Sequence, residues 1–439
     1  MENAAALAKE PLHPTRIPLR LLMISSLGGA LEFYDFVIFV FMASVLKALF
    51  FPPDLSDWLR LTATYGIFAA GYLVRPLGGV VIAHFGDRHG RKRTFTLSIM
   101  LMALPTLCIG VLPSYASVGA AAPLLLLAMR LCQGCAIGGE TPGSWVFVTE
   151  HVPPNRVGLA CGVLTAGLAA GILLGACVAA AVGVMFPGDT LTAGGGWRYP
   201  FLLGGALGFV ALWMRQYLRE TPVFTRLKAA QRASLPIKTV LTRHRRGLLL
   251  AGGVTWVLTG FVVVMLLLLP SLLEGRTLLS ASTLRQGAML AAAGDCIGCV
   301  VIGRLADRYG CGQILALFCV AASLCLAACT ACAVTGWPGF WIGCVAMGFC
   351  SGVTGIIPVM VVNAFPAAVR FTGVSLSYNV AYALFGGVTP LLMGSMMTYT
   401  LWVPVIYVGG LAALGVCLGL CSVYLPLTPT HAGRPSRDV

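Results

Sequence analysis

The chain has 439 residues, of which 58% are hydrophobic and 10% charged, and it carries a formal net charge of +14. So little polar surface excludes a soluble protein of this length and leaves an all-α polytopic protein with the lipid bilayer as its surroundings. The positive charge does not indicate nucleic acid: with both termini cytoplasmic, 21 of the 29 Lys and Arg fall in the termini and cytoplasmic loops and five on the outer side, the bias that orients membrane proteins.

Windows of about 20 apolar residues place spans at roughly 21–47, 61–84, 94–112, 121–148, 158–185 and 198–218. A second six follow at roughly 247–273, 283–304, 313–335, 338–362, 370–397 and 401–425. The first 20 residues are polar and contain proline, and the first apolar run is too long for a signal core. No cleavable signal peptide is expected, and span 1 stays as an anchor.

Span 1 brings Glu32 and Asp35, three residues apart and so on nearly one helix face, with Tyr34 between them. Span 2 brings Arg75, span 4 Arg130 and Glu140, and span 8 Asp295. An ionisable group at mid-bilayer costs about 2.5–3.5 kcal/mol on insertion scales and needs a partner or water. Counted at about 1.5 Å per residue from the membrane surface, Glu32, Asp35, Arg75, Arg130 and Asp295 fall roughly 14–21 Å deep, near the midplane.

The charges of Glu32, Asp35, Arg75 and Arg130 cancel, which lowers the cost of burying them. They form either a static ion-pair cluster or a site for a proton and a substrate. A buried cluster stabilises poorly compared with apolar packing, which favours the site. Glu140 and Arg215 sit nearer the cytoplasmic ends of their spans, where snorkelling or pairing with loops suffices.

On span 5, Gly162, Gly167, Gly171 and Gly175 read as close helix packing. The connection from Arg219 to Arg246 holds eight basic residues and is expected to face the cytoplasm and anionic lipid. Span 11 carries Ser375, Ser377, Tyr378, Asn379 and Tyr382, with the two tyrosines on one face. Such groups orient a ligand or join helices. All sixteen cysteines lie in or at the ends of apolar spans without histidines beside them, so Cys132/Cys135 and Cys296/Cys299 read as packing residues rather than zinc ligands or disulfides. No metal is expected.

Two stretches repeat. AHFGDRHGRKR from Ala83 to Arg93 matches GRLADRYGCGQ from Gly303 to Gln313, with Asp87 and Asp307 220 residues apart. Glu150, Pro153, Arg156 and Gly158 are echoed by Asn363, Pro366, Arg370 and Gly373 at nearly the same offset. Parallel repeats of six helices rocking about a site at their interface are a main architecture of secondary transporters. The expected organisation is an N-terminal half over 1–218, a basic cytoplasmic linker over 219–246 and a C-terminal half over 247–439.

These loop strings resemble the signature of the major facilitator superfamily, and RLCQGCAIGGE from Arg130 to Glu140 is similar to its helix 4 motif. GGALEFYDFVIF, YLVRPLGG, GWRYPFLLGG and VSLSYNVAYALFGG look like the metabolite:proton symporter branch, whose members carry osmolytes, shikimate and di- and tricarboxylates. The resemblance implies a 12-helix carrier working by alternating access, with the proton as coupling ion and no other cofactor; a monomer is expected as the working unit.

It also implies proton coupling by Glu32 or Asp35 opposite Arg130. The substrate-binding candidates are Arg75, Arg130, Tyr34, Tyr378, Asn379, Tyr382 and Asp295. The gating candidates are Asp87, Arg88, Arg91, Glu150, Arg156, Asp307, Arg308 and Arg370. Arg91 and Glu150 are expected to pair at the cytoplasmic face, because their second-half equivalents are Cys311 and Asn363 and both charges are missing together. Asp87 is expected near the start of helix 11.

The substrate is expected to be a small polar metabolite, an organic anion or zwitterion. Span 5 lacks a proline after Gly167, which favours import. The alternatives are an exporter of a metabolite, siderophore or drug, and a non-transporting membrane sensor. No enzyme is expected, since all six histidines lie in termini or loops and no nucleophile, base and oxyanion constellation is present.

Overall fold

Within a bilayer no water satisfies the backbone, so long apolar stretches coil into helices that satisfy it internally. A computed structural model describes residues 19–217, 236–397 and 399–424. Among the described residues the first six long helices are α1 (Leu19–Phe41), α2 (Asp57–His89), α3 (Arg91–Val111), α4 (Ala121–His151), α5 (Val157–Met185) and α6 (Arg198–Arg215). The next six are α7 (Arg245–Leu273), α8 (Ala281–Tyr309), α9 (Cys311–Thr335), α10 (Phe340–Asn363), α11 (Arg370–Met396) and α12 (Val403–Tyr424).

Ten of these are long and apolar enough to cross a membrane. The other two are α6, only 18 residues with an arginine at each end, and α11, which carries Arg370 and a run of hydroxyl and amide side chains. Exposed Leu73, Leu77, Leu324, Ile342 and Ile406 cover the outside of the helices with apolar surface suited to lipid.

The helices depart from uniform α geometry at three places. α1 breaks at Met42 and resumes as a short helix, Ala43–Phe50. α7 contains a π-helical stretch, Val262–Leu268, and α10 a 3-10 stretch, Gly352–Ile356. Most of the basic connection over 219–246 lies outside the described residues; its described part begins with the short helix Pro236–Arg243.

The repeated loops are each a single glycine. Gly90 (φ 117°) joins α2 to α3 and Gly310 (φ 96°) joins α8 to α9. Both angles lie where a side chain is strained, so the glycine of the motif is what lets the chain reverse in one residue.

Within the first half α2 packs along α4, α3 along α6, and α1 along α5; within the second, α8 packs along α10 and α9 along α12. Two seams join the halves. One is α5 against α8, and the other is α11 against α2 and α4. On the first seam Gly162 lies against the Cys299 carbonyl and Gly158 against Gly303, so any side chain there would meet backbone. Gly167 and Gly171 admit Ser26 and Ala30 of α1 in the same way.

The second seam has a polar tie. Pro142 has no N–H, so the Gly138 carbonyl one turn earlier loses its partner within α4. Asn379 Nδ2 donates to that carbonyl at 2.7 Å and Ser375 Oγ at 3.2 Å. Gly79 of α2 leaves the room for this, since a Cβ there would strike all three groups.

Candidate functional site

The first-half charges are buried but do not meet directly. Among the described residues Glu32, Asp35 and Arg75 form no ion pair within 4 Å. Asp35 is 3% exposed and accepts a hydrogen bond from Thr106 Oγ1 at 2.9 Å. Thr106 in turn accepts from Gln133 Nε2 at 2.7 Å, and Gln133 Oε1 accepts from Arg130 Nη1 at 3.0 Å. A hydroxyl and an amide therefore carry the link from the α1 carboxylate to the α4 arginine. Gln133 belongs to the helix 4 motif; Thr106, on α3, had no motif to mark it.

Glu32 accepts from Thr141 Oγ1 of α4. Glu32 Oε2 and Asp35 Oδ1 each lack a hydrogen-bond partner, so each can hold a proton without breaking a bond. The Arg130 guanidinium lies over the rings of Phe39 and Phe68 at 4.7 and 4.9 Å.

Glu140 and Arg215 depart from the snorkelling expected for them. They form a fully buried ion pair, and Ser98 also donates to Glu140. Arg215 reaches inward because Gly28 of α1 has no side chain in its path. With both oxygens bonded, Glu140 is a structural element of the half rather than part of a site.

Arg75 sits in an aromatic cage. Its guanidinium carbon is 5.5 Å from the Tyr72 ring centroid, 5.7 Å from Tyr378 and 4.8 Å from Tyr382. Its Nε and Nη2 have no hydrogen-bond partner. Tyr378 and Tyr382 lie between Arg75 and a small cavity of about 40 Å³, lined also by Phe33, Trp145, Thr165 and Asp295. Trp145 packs edge-on to Tyr378 with ring centroids 4.7 Å apart. Its Nε1 and the Thr165 Oγ1 lack partners.

Asp295 accepts from Ser351 Oγ at 2.7 Å on one oxygen and faces Cys299 Sγ at 3.9 Å on the other. The cavity draws on α1, α4 and α5 from one half and α7, α8, α10 and α11 from the other, and it borders the π stretch of α7 at Val262 and Leu266. Arg75 and Asp295 lie 220 residues apart, the spacing of Asp87 and Asp307. They are repeat-equivalent positions with opposite charge, a relation the sequence carries at the same offset as its loops.

Two of the expected binding residues are engaged elsewhere. Tyr34 is fully buried and donates to the Pro200 carbonyl at 2.7 Å, holding α1 to α6. Asn379 spends its amide on Gly138 and Ser375, holding α11 to α4. Neither lines the cavity.

At one end of the bundle the halves meet through charges. Asp87 accepts from the Phe371 and Thr372 backbone N–H groups at 3.3 and 2.8 Å, at the start of α11. Asp307 accepts from Gly158 and Leu159 N–H at 2.6 and 2.8 Å, at the start of α5. Each repeated aspartate thus caps the helix of the opposite half, whose positive dipole end favours it.

Glu150 pairs with Arg370 Nη1 at 2.8 Å, both buried, across the α4–α11 seam. The expected partner, Arg91, has its side chain outside the described residues. Arg88, Arg156 and Arg308 are exposed. Among the described residues no group of three or more His, Cys, Asp or Glu is placed to hold a metal.

Residues 24–388 match the sequence pattern of the Major Facilitator Superfamily. A proline/betaine transporter of Salmonella typhimurium is 29% identical, over 94% of this chain and 85% of its own. A glycine betaine/proline/ectoine/pipecolic acid transporter of Dickeya dadantii is 28% identical, with 94% and 84% covered. Among solved structures, the proton:xylose symporter bound to 6-bromo-6-deoxy-D-glucose superposes with a TM-score of 0.75 over 93% of this chain and 96% of its own, at 15% identity.

Proposed function

The chain belongs to the Major Facilitator Superfamily and is a multi-pass membrane transporter of small polar solutes rather than an enzyme; from that premise we propose that it imports a small zwitterion of the betaine or proline kind together with protons. The observation that carries this is the pair of opposite charges at repeat-equivalent positions, with Asp295 lining the aromatic cavity and Arg75 directly behind its Tyr378 and Tyr382 wall, which a change of tyrosine rotamer would open to it. A zwitterion presents a carboxylate and an ammonium a few bonds apart. Arg75 Nε and Nη2 and the Trp145 indole N–H are unpaired donors for the first. Asp295 and the faces of Trp145 and Tyr378 suit the second, since an aromatic face attracts a cation.

Asp35 and Glu32 carry the proton in this scheme. The chain Asp35–Thr106–Gln133–Arg130 lets a movement of α4 alter the bonding of the carboxylate on α1, so that protonation and rocking are coupled. An orientation with both termini cytoplasmic is supported by the distribution of basic residues, and the inner membrane is proposed as its location.

The test uses purified protein in proteoliposomes, with labelled proline and labelled glycine betaine and an imposed pH gradient, acid outside. Uptake above equilibrium is expected for at least one of them. Arg75→Lys keeps the charge but loses the planar pair of donors, and is expected to weaken substrate binding at least tenfold, about 1.4 kcal/mol. Uptake that ignores the gradient would remove the proton from the scheme. Normal binding by both Arg75→Lys and Asp295→Asn would remove the zwitterion site.

A further inference from the structure

We propose that the groove between α5 and α8, at the end of the bundle where Asp307 caps α5, binds the phosphate headgroup of an anionic phospholipid, with Arg156, Arg304 and Arg308 as its ligands. The groove has a volume of about 430 Å³ and takes residues from both halves. Arg304 and Arg308 are one turn apart on α8 and so project from the same face. Val300 and Val301 continue that face one turn deeper, with Leu159 of α5 opposite. Charge at the end of the helix and apolar surface below it is the profile of a headgroup above an acyl chain. Tyr309, with its ring 5.3 Å from the Arg308 guanidinium, adds an aromatic at the same level, where interfacial aromatics collect.

The three arginines are exposed and make no ion pair within 4 Å among the described residues. Asp307 lines the same groove, and both its oxygens are taken by the Gly158 and Leu159 N–H groups. The position of Arg156 follows from the repeat. Its equivalent, Arg370, is drawn inward by Glu150. The equivalent of Glu150 is Asn363, which offers no charge to hold Arg156 inside. The loss of one acid in the second half thus frees an arginine for the membrane face. Basic pockets between membrane helices are sites for anionic headgroups, and this one spans the seam that must part when the cavity opens on this side. A lipid bound there favours the closed face.

The test is native mass spectrometry of the full chain in detergent containing equal amounts of phosphatidylglycerol and phosphatidylcholine. The wild type is expected to retain phosphatidylglycerol preferentially. The triple variant R156Q/R304Q/R308Q is expected to lose at least fivefold of that retention, the corresponding Lys variant to keep most of it, and R285Q, at the other end of α8, to behave as wild type. Should the triple variant not accumulate, the exposed single changes R304Q and R308Q carry the same comparison. Equal retention of phosphatidylcholine, or unchanged retention in the Gln variants, overturns the proposal. Displacement of the lipid by inorganic phosphate at matched ionic strength would assign the arginines to a free anion instead and overturns it as well.

Discussion

Glu140 and Arg215 are two fully buried opposite charges bonded to each other within the first half. Removing one member of such a pair strands the other and costs about 3–5 kcal/mol, whereas replacing both by apolar residues of similar volume is often neutral. Glu140→Gln is therefore expected to lower thermal stability sharply, and Glu140→Met with Arg215→Met to recover most of it, as read by thermal unfolding in detergent. Asp35 and Glu32 should behave differently. Asn at position 35 still accepts from Thr106, so the fold is kept and only the proton site is lost. Proton-driven accumulation is expected to disappear in Asp35→Asn or Glu32→Gln while counterflow exchange survives; full accumulation in both variants refutes the assignment. Burial of the midplane charges was legible from chain position. Their partners were not, because Thr106 and Thr141 come from other helices and are ordinary residues in their own spans.

Among the helices, the seams are where side chains decide function. The Asn379 amide serves a carbonyl that Pro142 has removed from its own ladder. Asn379→Ala leaves that carbonyl short of a donor in a dry seam, at a cost of about 1–3 kcal/mol. A drop in melting temperature is expected, with substrate affinity little changed because the residue does not line the cavity. On the other seam, Gly162→Leu places a side chain against the Cys299 backbone. It is expected to hold α5 and α8 apart, abolishing transport while the protein still reaches the membrane. Ten of the long helices could be read from apolar length alone, since a bilayer leaves a hydrophobic segment few other options. The π stretch in VVVMLLL could not, because hydropathy is the same for either helix type. The tie at Gly138 needed two halves brought together before a missing N–H and an amide 241 residues away could be matched.

In the whole molecule the two seams close by different means. Aspartates 87 and 307 cap opposite helices in a symmetric way, but the Glu150–Arg370 pair occurs on the α11 side only. The α11 seam thus carries a charged latch that the described residues of the α5–α8 seam lack. Glu150→Gln is expected to shift the population toward the state open at this end at least fivefold, about 1 kcal/mol. Hydrogen exchange at the Phe371 and Thr372 amides reads that shift, since both are protected by Asp87 only while the face is closed. Unchanged exchange would mean that the pair does not govern closure. The repeat strings had marked these loops as a matched set, and the joint loss of both charges at Cys311 and Asn363 suggested Arg91 as the acid's partner. Arg370, which does pair with Glu150, lies in the other half, where the repeat alone does not place it, and the Arg91 side chain lies outside the described residues.

The carbonyl of Gly138 also has a mechanical consequence. Because its own helix cannot reclaim it, the contact between α4 and α11 at that level has reason to persist through the transport cycle, and it acts as a fulcrum. Glu150 is 12 residues further along α4, a lever arm of about 18 Å at 1.5 Å per residue. Each degree of tilt about the fulcrum then moves the carboxylate by roughly 0.3 Å. A tilt of about 4° takes the 2.8 Å pair with Arg370 beyond 4 Å, while the hydrogen bond at the pivot stretches hardly at all. The face can be unlatched by a rotation too small to disturb the joint on which it turns.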